Sequence, residues 1–216
     1  MNALLRKEFA LCTHPTCWLF LALGAVMLLI PSYPLYVCFF YMTLGLYFVF
    51  LIGNEKRDVM FSALLPVAKR DLVTARTLFM VIFELAVLLL AVPFALLRQA
   101  LGIPANPVGT EPGVAFFGLC LVQFAIFNGI FLPGFYRTGE KCGRPFLLAC
   151  VAQFVYIGLV ETSMHVVPYC KTVLDSAAPD LQAAQLPVLL AGMVLFAAVT
   201  WLACRNAQRR FARVDL

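Results

Sequence analysis

TLFMVIFELAVLLLAVPFALL, residues Thr77 to Leu97, decides the fold class of this chain. Only Glu84 in this stretch is charged. A helix of that length rises about 31 Å, which matches a bilayer hydrocarbon core of roughly 30 Å. The apolar residues run continuously, without alternation of period two. The stretch therefore reads as a membrane-crossing helix and not a barrel strand.

Working outward, five more stretches have the same character: Pro15 to Ile30, Leu35 to Gly53, Pro112 to Leu132, Phe146 to Val166 and Leu186 to Cys204. Of the 216 residues, 63% are hydrophobic and 12% charged. A soluble domain of this length cannot bury so much apolar surface, and a disordered chain would be poor in Leu, Val and Phe. The expectation is an all-α polytopic membrane protein with six transmembrane helices. It forms a single transmembrane domain over residues 1–216, with an interfacial segment at 1–14 and a cytoplasmic segment at 54–76. Arg6 and Lys7 before an apolar run suggest a signal peptide, yet the run ends in Pro31-Ser32-Tyr33-Pro34 without a small-residue cleavage pattern. It is expected to stay as an anchor, hairpinned with the second span.

The basic residues orient these spans. Of 16 Lys and Arg, 14 fall at the N-terminus, between spans two and three, between spans four and five, or at the C-terminus. Only Arg98 and Lys171 fall on the opposite face. By the positive-inside rule the rich face, and with it both termini, is cytoplasmic. The net charge of +5 thus reads as topology and contact with anionic membrane lipid, not nucleic-acid binding.

The loops carry no phosphate-loop motif, no H-E-x-x-H and no G-x-S-x-G, so nothing points to ATP hydrolysis or proteolysis in this chain. The eight Cys include no C-x-x-C pair and read as small buried apolar residues. Cys38 and Cys170 both fall towards the outer side, where a pairing is conceivable.

The segment Asn54 to Arg76 is charged at first (Glu55, Lys56, Arg57, Asp58) and apolar in its middle (Val59, Phe61, Leu64, Leu65). Pro66 breaks or starts a helix, and a short helix from Lys69 to Arg76 is expected to lead into span three. One reading is an interfacial elbow whose Lys and Arg reach lipid phosphates. The other is a docking surface, in which Leu64, Leu65, Pro66 and Val67, flanked by charges of both signs, fill a groove on a soluble partner.

Met1 to Phe9, reading MNALLRKEF, resembles the N-terminal amphipathic segment of ABC-2 type transporter permeases. Glu55 to Leu78 resembles that family more specifically. Glu55 matches its acidic residue after span two, Leu65-Pro66-Val67-Ala68-Lys69 its Leu-Pro-Val-Ser-Arg-like turn, and Leu72-Val73-Thr74-Ala75-Arg76 the run into span three. Ala68-Lys69 departs from the commoner Ser-Arg without changing the charge. The resemblance implies a type V exporter-like permease in a bacterial plasma or inner membrane. It implies a coupling helix built from Glu55, Asp58, Phe61, Leu64, Leu65, Pro66, Val67, Lys69 and Arg70, docked on a separate ABC ATPase subunit. ATP and Mg would be bound by that subunit, and this chain itself would hold no cofactor. Two ATPase copies would join two permease subunits, this chain with an identical or homologous partner.

Inside the spans, Glu84 and Glu161 are the clear acidic residues, and carboxylates at such depth are expected to face protein or water. His165 lies four residues after Glu161, on the same helix face. Each acidic group reads either as pathway lining or as an internal hydrogen-bonded lock. Asn128, Gln123 and Gln153 more often join helices than bind cargo. Pro93 is placed to kink span three. A peptide, a lipid, an antibiotic or a small hydrophobic compound all suit such apolar spans as cargo. Two rival readings are a non-transporting sensor or resistance scaffold, and a membrane-embedded enzyme. The latter requires Glu84, Glu161 and His165 to converge.

Overall fold

The computed structural model describes residues 2–56, 62, 67–107, 109–138 and 141–214. Among them the chain is helical: α1 (Asn2–Lys7), α2 (Pro15–Val26), α3 (Leu35–Glu55), α4 (Lys69–Ala100), α5 (Val114–Phe135), α6 (Gly143–Val166) and α7 (Gln182–Phe211). The last five are each long and apolar enough to cross a membrane, and the bent pair of α1 and α2 makes a sixth crossing when counted as one span.

The first span is short. α2 has 12 residues and continues as a three-residue 3-10 turn, Met27–Leu29. Together they rise only about 23 Å. The pair is bent by 84° between Ala3–Ala10 and Pro15–Leu29. Pro15 sits at the first turn, where its missing N–H costs nothing, and His14 Nδ1 accepts the Thr16 N–H at 3.3 Å. An amphipathic lead-in meeting a span at a steep angle is the geometry expected of a segment that lies on the headgroups.

The expected short helix at Lys69 is the first two turns of α4, which runs on through Pro93 to Ala100. Gly102, at φ 62°, stops it in the left-handed conformation. Both chain ends meet the inner end of α4. Glu8 pairs with Arg76, and Lys69 Nζ donates to the Val214 carbonyl at 2.7 Å. Glu8 near the N-terminus, Val214 near the C-terminus and the start of α4 therefore share one side, as six crossings require.

α3 and α5 form the centre, whereas α6 and α7 leave long apolar faces exposed, including Leu148, Leu159 and Val194. The central seam is aromatic. Phe50 packs edge-on against Phe131 and Phe135 with centroids 4.9 and 4.8 Å apart, and Phe39 meets Phe116 and Phe124. α5 and α7 touch backbone to backbone. A Cβ built on Gly192 would lie 2.2 Å from the Gly118 oxygen, so only glycine permits this crossing.

Cys38 and Cys170 are both free thiols, with Cys38 fully buried in the α3 core, so they do not pair. Cys17, Cys38, Cys120 and Cys142 are buried, as the reading of small buried apolar residues expects, whereas Cys150, Cys170 and Cys204 are half-buried.

Candidate coupling face and membrane polar groups

The inner end of α4 gathers three elements. Lys7 Nζ donates to Ser62 Oγ at 2.6 Å and lies 3.5 Å from the Glu8 carboxylate. Glu8 pairs with Arg76, both almost fully buried, and the Arg76 guanidinium stacks 5.2 Å from the Phe50 ring centroid. Lys69 also lies over the Phe211 ring at 5.7 Å. Gln208 Nε2 donates to Thr74 Oγ1 at 2.9 Å. Glu55 is exposed at the end of α3, and Val67 packs against the core edge. Arg70 is exposed, with Asp71 3.9 Å away. Asp58, Phe61, Leu64, Leu65 and Pro66 lie outside the described residues.

Deep in the bundle, Asn128 Nδ2 of α5 donates to Glu84 Oε2 of α4 at 2.9 Å and to Thr200 Oγ1 of α7 at 3.2 Å. Glu84 and Asn128 are wholly buried. A second relay ties α3, α5 and α6: Thr43 Oγ1 donates to Gln153 Oε1, Gln153 Nε2 to the Gln123 carbonyl, and Gln123 Nε2 to the Tyr36 carbonyl. These amides bridge helices, which is how polar groups in lipid find partners.

At the outer end the Glu161 carboxylate accepts both the Thr110 N–H, at 3.3 Å, and its hydroxyl, at 3.2 Å. His165 Nδ1 bonds the Glu161 main-chain carbonyl at 2.8 Å and does not hold its carboxylate. Glu84 and Glu161 have different partners. Thr110 precedes α5, whereas Asn128 lies roughly 20 Å further along it. The three groups that an embedded enzyme would need are not brought together.

The inner ion pair and an outer network escaped the sequence reading. Arg98, at the end of α4, is buried, and donates to the carbonyls of Leu28, Ile30 and Pro104 and to the Glu111 carboxylate. That closes the orphan carbonyls of the short first span. Glu111 also takes the Asn106 N–H on its carboxylate and gives its own N–H to Asp175 at 2.8 Å. Gln185 accepts the Ala115 N–H at the start of α5 and donates to the Val173 and Ser176 carbonyls. Burial raises the Asp175 carboxyl above its ordinary value, against the lowering effect of the Glu111 N–H. Arg98 had one sequence signal: it is a rare cation on the outer face.

A family model described as ABC-2 family transporter protein matches residues 3–205. The chain belongs to this ABC-2 family. It is a multi-pass membrane permease, as the resemblance in its N-terminal and loop residues implies. No curated protein and no solved structure matches it. This permease is held at three levels: a charged knot around Glu8 and Arg76, two amide relays among the spans, and an Arg98-centred cap at the opposite end.

Proposed function

We propose that this ABC-2 permease is the transmembrane subunit of an exporter driven in trans by a separate ATPase. Two ATPase subunits bind ATP and Mg, and they close against two permease subunits, this chain and an identical or homologous partner. Residues 54–76 form the coupling segment. Glu55, Asp58, Phe61, Leu64, Leu65, Pro66, Val67, Lys69 and Arg70 engage the ATPase, and their displacement moves spans two and three. A peptide, lipid or small hydrophobic compound then passes between the permeases towards the outside of a bacterial cell membrane.

The observation that supports this reading is the anchoring of that segment. Ser62 is held by Lys7, Arg76 by Glu8, and Lys69 by the carbonyl of Val214. A push on residues 54–76 is thereby delivered to α1, α4 and the end of α7 as one unit. A buried ion pair resists being pulled apart, because either charge alone in the interior is costly. In this reading the chain performs no catalysis of its own.

The test replaces Leu64 and Leu65 with Asp. The expected result is loss of ATPase co-purification with membrane insertion unchanged. A variant that retains its full ATPase complement overturns the assignment.

A further inference from the structure

We propose that the face between α4 and α7 is a binding site for an inner-leaflet anionic phospholipid. A groove of about 930 Å³ runs between these helices over the surface of α5, from Thr74 and Cys204 at the inner end to Gln99 and Gln182 at the outer end. Its wall is apolar through the hydrocarbon depth, with Leu85, Leu89 and Met193 among the lining residues. The 22 residue steps from Gln182 to Cys204 on α7 rise roughly 33 Å.

Groove shape and mouth charge select the occupant. The groove's length and its almost wholly apolar wall suit the methylene groups of an acyl chain. At the inner mouth Trp201 lines the groove, and the Arg205 guanidinium stacks over its ring at 4.8 Å. Trp at this level marks the lipid–water boundary. Beyond the lining residue Trp201, Arg205 and Arg209 follow on α7 at four-residue steps, each turned about 40° further round the helix. The helix changes from apolar to cationic where the headgroup must lie, and both arginines are exposed. Arg70 stands exposed across the mouth on α4, beside Asp71. An acyl chain in the groove with its phosphate between Arg205 and Arg209 satisfies both parts.

The test is native mass spectrometry of the full chain in detergent, with phosphatidylglycerol or phosphatidylcholine of equal acyl length as probes. The wild type is expected to retain phosphatidylglycerol in preference, by roughly fivefold per arginine. Arg205→Ala with Arg209→Ala is expected to abolish the preference while phosphatidylcholine retention stays the same. Leu85→Trp, which fills the groove, is expected to reduce retention of both lipids. Because both arginines are exposed, the double variant decides the matter even if Leu85→Trp does not fold. An undiminished preference in the double variant overturns the proposal. So does a lipid-free dimer that Leu85→Trp splits into monomers, which would give the groove to a second copy.

Discussion

Asn128 Nδ2 of α5 is shared between the Glu84 carboxylate of α4 and the Thr200 hydroxyl of α7. One amide therefore joins three spans at a depth where water cannot replace it. Asn128→Ala removes both bonds and leaves a buried carboxylate without its donor. The expected loss is about 1–3 kcal/mol, read as a lower unfolding midpoint in detergent. Thr200→Val removes only the weaker arm and is expected to cost about 0.6 kcal/mol. Equal effects of the two changes would contradict the shared-donor geometry.

Arg98→Ala should be the most damaging change at the outer end. It strips the carbonyls of Leu28 and Ile30 and leaves Glu111 without its cation. Breaking a buried pair from one side costs about 3–5 kcal/mol. Arg98→Lys restores charge but not the fork that reaches several acceptors at once, so rescue is expected to be partial. Protease sensitivity of residues 98–113, together with the unfolding midpoint, checks both.

The crossing of α5 and α7 depends on bare backbone. Gly192→Ala places a methyl 2.2 Å from the Gly118 oxygen, so the helices must separate, at about 1–3 kcal/mol. Gly158→Ala on α6 meets nothing within 4 Å and serves as the control. Its thermal midpoint should match the wild type, or exceed it slightly through better helix propensity.

Asp175 gives the outer cap a pH dependence. Its carboxyl is raised in the folded state, chiefly by burial, so the folded chain holds the proton more tightly than the unfolded chain. That stabilisation is fully present below the unfolded value of about 3.9, and it is lost as pH rises through the folded value. Asp175→Asn keeps an oxygen for the Glu111 N–H and removes the titration. Unfolding midpoints of wild type and variant, measured from about pH 4 to pH 7, should converge at the acidic end if the cap behaves so. Parallel curves would assign the titration elsewhere.

Much of this permease is legible in one dimension because lipid imposes a local rule. Every backbone polar group must be satisfied within its own segment, so an uninterrupted run such as Thr77–Leu97 can only be a helix. The clustering of Lys and Arg fixes orientation for a similar reason, since each charge is read against the membrane and not against another residue. The residues Leu65–Lys69 and the first nine residues carry the resemblance to the family without any folding argument.

What the sequence could not supply is pairing. Glu84 and Glu161 look alike as acidic residues within apolar runs, yet one joins Asn128 deep in the bundle and the other caps Thr110 at the outer edge. Glu8 and Arg76 are 68 positions apart, and Arg98 reaches back 70 to Leu28. The identity of a partner depends on which helix faces lie together, and that is set by close approaches such as Gly118 on Gly192. Lipid gives no strong hydrophobic drive for one helix order over another, so side-chain fit decides the order. The sequence alone therefore determined that the chain crosses the membrane, which side carries its charge and which family it resembles. The tertiary structure alone decided which polar groups meet, and so where this permease is locked and where its surface is left open to lipid.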